Sequence, residues 1–409
     1  MEQKLLTRNF ALLILGQLSS LAGNFILKLA VSMYVLETTG SAAVFAAILS
    51  AATVPAVLLT PFGGIVADRV NKRNIMVGLD IFNGVSVLCT VVFFRGENAL
   101  FVIGILLALL SVSGAFETPA VQACIPTMLS GDNILKGNAA VNQVAAVSAL
   151  ACPMLGSLLY TAFGVRPVMN ACALCFLITA LFESFIRLDG SQLTGIKQPV
   201  RAVVKQDFSE SLHFIRREQP VILKMLLLAA LSGAFVMGIT MVGFPYLIRN
   251  VLGLGAAHYG AAESAMAVAA VLGSAAAGFL VGKLKLRSLS LLLAAPGVFA
   301  LPAGLAFLLP AGTAVRYAVL IAAFCGMQAA VTVFSIFAVS MIQQRTPNHL
   351  IGKMMAYTSA VSLCAQPVGQ ILYGFLFDWC SVSLVLIPTA VVIVVIGWRS
   401  KGFFASLEI

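Results

Sequence analysis

The chain has 409 residues, of which 60% are hydrophobic and only 10% are charged, and its mean hydropathy is +1.03. Soluble domains are about 45–50% apolar and about 25% charged, so this composition excludes a soluble globular protein and places the chain in a lipid bilayer. The net charge of +10 does not indicate nucleic-acid binding, because the basic residues lie in short segments between apolar runs and no basic, aromatic-rich soluble segment is present.

Apolar segments long enough to cross a bilayer follow one another along the whole chain. Helices and closed barrels are the two structures that satisfy every backbone hydrogen bond in lipid, and runs of about 20 apolar residues favour helices. We therefore predict an all-α membrane protein with 12 transmembrane helices, which cover residues 9–36, 42–66, 74–94, 98–118, 138–161, 166–187, 221–248, 258–281, 289–310, 313–342, 354–377 and 381–398.

The basic residues predict the orientation of these helices. An even number of crossings places both termini on one side, and 20 of the 25 Lys and Arg residues lie on that side. Cytoplasmic loops are enriched in Lys and Arg, so we predict a multi-pass protein of the cell inner (plasma) membrane with both termini in the cytoplasm. The first apolar run exceeds the apolar region of a cleavable signal, and we interpret it as a retained helix.

The first helix carries the one Lys or Arg that lies deep within a predicted span, more than four residues from either end. Gln17, Asn24 and Lys28 are spaced by seven and four residues, so they share one helix face. A lysine at the bilayer centre costs roughly 2.5–3.5 kcal/mol and should face a partner or a wet cavity. We predict that these residues line a substrate cavity, where Lys28 meets an anionic or carbonyl-rich substrate. Alternatively, Lys28 reaches the interface or closes a structural ion pair.

A charged break separates the second and third helices. Its glycines allow close helix packing, and an aspartate just past a helix end can meet the positive N-terminus of another helix. Asn71 tolerates the left-handed backbone of a tight turn. We predict a cytoplasmic gating latch that consists of Gly64, Asp68, Arg69, Lys72 and Arg73.

Acidic residues are rare within the predicted helices. We expect Asp80 to pair with the basic loop that precedes it. Glu117 lies where we expect the fourth helix to end, within reach of Arg69 or Lys72 if helices 2 and 4 are neighbours. We interpret Glu117 as a candidate for the latch, with proton coupling as the alternative.

The fifth helix contains Cys152, Pro153 and Gly156 in a stretch of small residues. Small residues permit close helix packing, whereas a proline alone would indicate an ordinary kinked helix. Both interpretations stay open on the sequence.

The middle of the chain is its longest polar segment, residues 188–220. Phe208, Leu212 and Ile215 share one face of a possible amphipathic helix at the cytoplasmic interface, and a plain solvated linker is the alternative. We predict three parts: a six-helix bundle over 1–187, this linker, and a second bundle over 221–409.

Two pairs of motifs recur at a shared offset of 213–214 residues. Residues 64–69 align with 278–283, and the segment from Pro153 to Tyr160 aligns with that from Pro367 to Tyr373. We therefore predict that the two six-helix bundles are pseudo-symmetric copies.

The second half offers two candidate site residues. Glu263 lies in a small, apolar stretch of the eighth helix, where a carboxyl favours its neutral form, so it is our first candidate for a protonatable coupling residue. We predict that Gln328, in the tenth helix, lines the substrate cavity; an interhelical hydrogen bond is the alternative.

The sequence lacks the motifs of a metal, nucleotide or catalytic site. Cys172-x-x-Cys175 has no partner ligands, and the three histidines are scattered. No Walker loop or catalytic constellation is present. We expect no cofactor and no enzymatic activity, so transport must draw on a gradient or be passive.

The latch spacing closely resembles the loop signature of the major facilitator superfamily, which usually has a glycine where this chain has Asn71. The small residues around Pro153 resemble the drug-antiporter signature of that superfamily. At finer grain the chain resembles the macrolide-efflux branch of drug:proton antiporters, on residues 36–42, 115–120 and 373–375.

This resemblance implies alternating access, in which two rigid halves rock about a central site and a proton enters as a drug leaves. The implied partners are the lipid bilayer, a small-molecule substrate and the proton, and we expect a monomer. Lys28 departs from the branch, which tends to have a neutral polar residue there. That departure keeps open a carrier for an anionic metabolite, siderophore or lysolipid. A non-transporting receptor or scaffold is the third hypothesis.

Overall fold

The computed structural model describes residues 7–188, 220–280, 286–346 and 351–406. Every regular element in these ranges is helical, and 12 helices are long and apolar enough to cross a membrane. The predicted all-α fold with 12 transmembrane helices is confirmed. In chain order we number the helices α1 (Arg8–Thr39), α2 (Ala42–Arg69), α3 (Lys72–Phe93), α4 (Ala99–Met128), α5 (Asp132–Phe163), α6 (Val165–Ser184), α7 (Pro220–Val251), α8 (Ala256–Leu280), α9 (Leu289–Ala306), α10 (Thr313–Gln344), α11 (Ile351–Trp379) and α12 (Val382–Ala405).

Helix α4 is longer than we predicted from the sequence. It continues through Pro119 and Pro126 to Met128, so Glu117 lies within the helix and does not end it. A proline usually favours a helix boundary at the preceding residue, but here the following residues Ala120, Val121 and Cys124 are buried. Packing of this apolar turn therefore outweighs the local preference of proline.

The turn between α2 and α3 differs from the expected left-handed conformation. Asn71 has φ −60° and ψ 114°, and its side chain accepts a hydrogen bond of 3.1 Å from the backbone N–H of Arg73. Asn71 is thus the N-cap of α3, because its carboxamide satisfies one of the free N–H groups of the first turn. Asp68 lies in the last turn of α2 and not beyond it.

The described chain divides into two compact units. The first comprises Met1–Val35 and Ala51–Gln206, and the second comprises Leu36–Ser50 and Asp207–Ile409. The residue limits 1–187, 188–220 and 221–409 stay predictions, and the proposed amphipathic helix around residues 208–215 lies outside the described residues.

Equivalent helices pack together in the two units. In the first unit α3 packs on α4 and α6, and in the second unit α9 packs on α10 and α12. Gly156 of α5 lies against α1, where a Cβ atom would be 3.1 Å from the Cα of Ile26. Gly369 of α11 lies against α7, where a Cβ atom would be 2.0 Å from the carbonyl oxygen of Ala234. The repeated motifs of the sequence therefore occupy the same helix–helix contact in each unit.

Helix α7 contains wide turns near its C-terminal end. The backbone N–H groups of Phe244 and Leu252 donate to the carbonyl oxygens of Ile239 and Leu247, five residues earlier. Pro245 lies between these turns and has no N–H to donate. Such π-helical turns insert an extra residue into a helix and often occur at functional sites.

Candidate functional site

Three carboxyl side chains meet inside the first unit. Asp80 of α3 and Glu183 of α6 are 0% exposed, and Glu117 of α4 is half-buried. The hydroxyl Oγ of Ser20, on α1, lies 3.1 Å from Asp80 Oδ1 and 3.3 Å from Glu117 Oε1. We call these four residues the acidic cluster. It joins four helices of the unit through polar side chains.

Small residues on α1 make room for this arrangement. A Cβ atom at Gly16 would lie 3.2 Å from the Cγ of Glu183 and 3.4 Å from the Cγ2 of Thr179. Thr179 Oγ1 also donates to the carbonyl oxygen of Gly16 over 3.1 Å. Because α1 and α6 approach closely here, the carboxyl of Glu183 lies within hydrogen-bonding range of Asp80 when one of the two carries a proton.

The acidic cluster has no cationic partner among the described side chains. An ion pair joins Arg249 and Glu37 in the second unit, over 2.6 Å. Both carboxyl oxygens of Glu183 and the Oδ2 of Asp80 are buried without a hydrogen-bond partner. A buried charge without a partner costs far more free energy than a buried neutral group, so the arrangement favours bound protons.

Sequence reasoning did not find this cluster. Asp80 was expected to pair with the basic loop, but its described neighbours are Ser20 and the other acids. One acid in each of three apolar helices was a visible signal, since charged residues in transmembrane segments are rare and usually functional. The sequence could not indicate that these three acids lie at the same depth and on facing sides of their helices.

The predicted latch is described only in part. The side chains of Asp68 and Arg69 lie outside the described structure, as do the surroundings of Gly64. Lys72 is half-buried, and the guanidinium of Arg73 donates to the carbonyl oxygen of Ser184 at the end of α6. A gating role for these residues stays a prediction.

Helices 2 and 4 are neighbours, as the latch hypothesis required. A Cβ atom at Gly63 of α2 would lie 2.1 Å from the carbonyl oxygen of Ala115 in α4. The described partner of Glu117 is nevertheless Ser20, so its contact with the basic loop stays a prediction.

The three residues predicted to share one face of α1 have different surroundings. Gln17 is 6% exposed and lies beside Glu117, whereas Asn24 is half-buried and Lys28 is exposed. Lys28 forms no ion pair or hydrogen bond with a described residue. It points away from the side of α1 on which Ile26 contacts α5. Whether these residues line one substrate cavity stays a prediction.

The signature of the fifth helix is a packing element. Cys152 is 4% exposed, Pro153 is buried, and Gly156 contacts α1 at Ile26. Neighbouring Ser148 is fully buried as well. These small side chains allow α5 and α1 to approach closely, as expected for helix contacts in lipid.

A cavity of about 260 Å³ lies within the second unit, between α7, α9, α10 and α11. Its walls are mainly apolar and include Met225, Met237 and Phe334. Gln366 is half-buried in the wall, and its amide makes no hydrogen bond to a described residue. Methionine side chains adapt to irregular shapes, and an amide can orient a polar group. The cavity suits a small amphipathic ligand or the apolar part of a larger one.

Neither candidate from the second half lies in this cavity. Gln328 is half-buried on α10 and is not among the lining residues. Glu263 accepts a hydrogen bond of 2.6 Å from the hydroxyl of Tyr259, one turn earlier on α8. Their roles in the substrate cavity and in proton coupling stay predictions. The sequence did not distinguish Gln366 as a cavity residue, because it is one of several glutamines in the predicted helices.

A carboxylate caps α2 within the second unit. Asp378 of α11 accepts hydrogen bonds from Ser41 Oγ at 2.5 Å, from the N–H of Ala42 at 2.7 Å and from the N–H of Ala43 at 3.1 Å. Gly374, one turn earlier, packs on α2, where a Cβ atom would lie 2.5 Å from the Cβ of Ala46 and 3.1 Å from the carbonyl oxygen of Ala42. Two of the stretches on which the family resemblance rests therefore contact each other.

The described residues contain no group of three or more His, Cys, Asp or Glu side chains arranged to hold a metal ion.

Comparison with known proteins gives the following similarities. A family model described as Major Facilitator Superfamily matches residues 13–370. Macrolide efflux protein A of Streptococcus pyogenes is 23% identical over 371 residues, which cover 90% of this chain and 89% of that protein. Multidrug efflux pump Tap of Mycolicibacterium fortuitum is 24% identical over 397 residues, which cover 94% of this chain and 93% of that protein.

Solved structures share the fold at lower identity. A bacterial homologue of the iron transporter ferroportin superposes with a TM-score of 0.72 at 17% identity, over 98% of this chain and 100% of the other. The nucleoside transporter NupG gives a TM-score of 0.72 at 14% identity, over 98% and 99% of the two chains.

Proposed function

The chain belongs to the Major Facilitator Superfamily, and from this premise we propose that it is a proton-coupled exporter of amphipathic small molecules. It is a multi-pass membrane transporter, and the finer assignment rests first on the cavity of the second unit. An apolar wall with two methionines accepts varied hydrophobic groups, and the amide of Gln366 can bind one polar group. The relatives named as efflux proteins support export as the direction of transport.

Two features of the chain support coupling to protons. The sequence has no nucleotide-binding motif, so uphill export must draw on an ion gradient. The acidic cluster supplies carboxyl groups that can bind and release protons inside the membrane. In this proposal the two units alternate in exposing the substrate to each side of the inner membrane, as a monomer. The distribution of Lys and Arg supports cytoplasmic termini.

Transport by reconstituted protein tests the proposal. Purified protein in liposomes should accumulate an uncharged or cationic amphiphile, such as a macrolide or a fluorescent dye, when a proton gradient is imposed. An ionophore that collapses the gradient should abolish accumulation. Labelling of a Lys401→Cys variant in a cysteine-free background reports the orientation of the protein in the liposomes. In native vesicles, the same label reports the side of the membrane on which the C-terminus lies. Failure of the gradient to drive any substrate would contradict the proposal.

A cavity variant tests the substrate site in the same assay. Gly233 lines the cavity, and a Cβ atom there would have no neighbour within 4 Å. Gly233→Leu should therefore fill the cavity without displacing backbone and raise the KM for the amphiphile about tenfold or more, since a lost apolar contact of one side chain costs about 1–3 kcal/mol. Gly104 in α4 is equally unobstructed, and Gly104→Leu is the matched control.

One observation supports a second candidate function. Lys28 is exposed and unpaired among the described residues, so an anionic substrate could meet a cation on α1. This candidate is a carrier for an anionic metabolite, siderophore or lysolipid. The charge preference of transport distinguishes it from the first candidate.

A further inference from the structure

We infer that Asp80, Glu117 and Glu183 form a proton-binding site inside the first unit, and that Ser20 relays a proton between Glu117 and Asp80. The site itself follows from the geometry of four helices. Its link to export rests on the proposed function.

The position of Ser20 between two carboxyl groups supports the proton relay. Its Oγ lies within hydrogen-bonding distance of both Asp80 and Glu117, at 3.1 and 3.3 Å. A serine hydroxyl has one proton to donate and can accept through its lone pairs. Both contacts can therefore be hydrogen bonds only if one of the two carboxyls is protonated and donates to Ser20.

Glu183 requires a proton on independent grounds. It is 0% exposed, and neither of its carboxyl oxygens has a hydrogen-bond partner among the described atoms. Its neighbour Asp80 is another acid and offers a hydrogen bond only when one of the pair is protonated. Two adjacent buried carboxylates cannot both stay ionised without a cation.

A hydrogen-bond donor without a described partner also lies beside the cluster. Gln17 is 6% exposed and lies beside Glu117, and its amide Nε2 has no hydrogen-bond partner among the described atoms. An amide N–H beside a carboxyl can stabilise that carboxyl when it loses its proton. Gln17 is therefore a positioning residue that would accommodate the ionised form of Glu117.

The proton-transfer step conserves charge. Protonated Glu117 donates through its O–H to Ser20 Oγ, while the Ser20 O–H donates to Asp80 Oδ1. A concerted shift along these two hydrogen bonds leaves Glu117 ionised, Asp80 neutral and Ser20 with one proton, as before. Glu117 retains exposure and the other two acids do not, so Glu117 is the member that exchanges protons with water.

Few other charged groups face the site. Among the described side chains, α1 contributes the uncharged Gln17 and Ser20, and α4 contributes Cys124 besides Glu117. Lys72, at the start of α3, acts on Cys124 but forms no ion pair with an acid of the cluster. Arg73, also at the start of α3, donates to the carbonyl oxygen of Ser184, next to Glu183, and forms no ion pair with an acid of the cluster either. Among the described side chains, the three carboxyls therefore have no cation paired with them.

Proton counting on purified protein tests the site without any substrate. We expect the triple variant Asp80→Asn, Glu117→Gln, Glu183→Gln to take up fewer protons than the natural protein when the pH is lowered from alkaline to neutral values, a range in which ordinary carboxylates stay ionised and take up no protons. Glu37→Gln is the matched control, because the Glu37 carboxylate has a cationic partner, Arg249 at 2.6 Å, and does not need a bound proton to balance its charge. Equal proton uptake by the triple variant and the natural protein would overturn the site.

Infrared spectroscopy of the natural protein covers the case in which the triple variant does not fold. A buried neutral carboxyl gives a C=O stretching band that shifts when H₂O is replaced by D₂O. We expect such a band at neutral pH, and its absence would overturn the inference. Each single isosteric variant should weaken it.

Two variants of Ser20 test the relay. Ser20→Ala should slow proton-driven transport about tenfold, because the hydrogen-bonded link between Glu117 and Asp80 is lost. Ser20→Thr retains a hydroxyl and should restore most of the rate. Exchange of labelled substrate without a gradient should be unaffected in both. Identical proton-driven rates in Ser20→Ala and the natural protein would overturn the relay.

The two proposals fail differently. If a proton gradient does not drive transport by the natural protein, the exporter proposal is wrong, and proton counting still decides the site. If transport is proton-driven but all three acids can be neutralised without loss of coupling, the site is wrong and the exporter proposal stands.

Discussion

At the residue scale, we expect Lys28 to determine which substrate charge the transporter prefers. An ammonium group within a transmembrane helix is stable when it faces water, an anion or a partner, and no described partner is present. If Lys28 binds an anionic substrate, its removal leaves that anion without a counter-charge and leaves neutral substrates unaffected.

We therefore predict that Lys28→Gln lowers kcat/KM for an anionic substrate about tenfold to a hundredfold, as expected for loss of a charge-assisted hydrogen bond. Initial rates in liposomes measure this effect for matched anionic and neutral compounds. Lys28→Arg keeps the charge and is the control. An equal loss for both compounds would argue that Lys28 supports the helix and not the substrate.

At the scale of elements, helix ends carry much of the polar chemistry. Asn71 caps α3 from within the same loop, and Asp378 caps α2 from α11. A carboxylate at a helix N-terminus satisfies free N–H groups and interacts favourably with the helix dipole. The second cap is a long-range contact that fixes the first turn of α2 on the second unit.

Removal of this cap should loosen the start of α2. We predict that Asp378→Ala destabilises the protein by about 1–2 kcal/mol and increases hydrogen exchange at Ala42 and Ala43, which donate to the carboxylate. Exchange measured by mass spectrometry and the thermal midpoint in detergent both report the change.

A matched control is available at α12. Ser381 occupies its N-cap position, but the side chain makes no capping hydrogen bond, so Ser381→Ala should leave exchange at the start of α12 unchanged. Unaltered exchange at Ala42 in Asp378→Ala would contradict the capping role.

At the scale of the whole molecule, equivalent helix contacts occur in both units, and the helices approach more closely at Gly369 than at Gly156. A Cβ atom at Gly369 would lie 2.0 Å from a backbone oxygen of α7, whereas one at Gly156 would lie 3.1 Å from a Cα atom of α1. Both contacts are with backbone atoms, which cannot move aside as a flexible side chain can, so the shorter distance at Gly369 makes its substitution the more costly one.

We predict that Gly369→Ala lowers the free energy of unfolding by about 1–3 kcal/mol, and that Gly156→Ala lowers it by less. A Cβ atom at Gly278, in α8, would have no neighbour within 4 Å, so Gly278→Ala should be neutral or stabilising by about 0.5–1 kcal/mol. Thermal unfolding of the three variants in one detergent gives the order. A Gly156→Ala variant less stable than Gly369→Ala would contradict this account of the packing.

The sequence by itself determined the twelve helices, their membrane location and the twofold repeat. Long apolar runs leave the backbone no other way to satisfy its hydrogen bonds in lipid, and this requirement depends on composition alone. The latch spacing and the stretches around Glu37 and Gly374 were sufficient for the family. The end of α4 was missed, because packing of the turn after Pro119 overrode the local preference of proline.

The tertiary structure alone decided which polar groups meet. Asp80, Glu117 and Glu183 are separated by 37 and 66 residues in the sequence, and Ser20 lies a further 60 residues before the first of them. Their contact depends on the rotation and depth of four helices, and uniformly apolar helices carry little periodic signal to fix either. Gln17 and Lys28 share one face of α1 by their spacing, but only the structure shows that Gln17 lies beside Glu117 and that Lys28 is exposed.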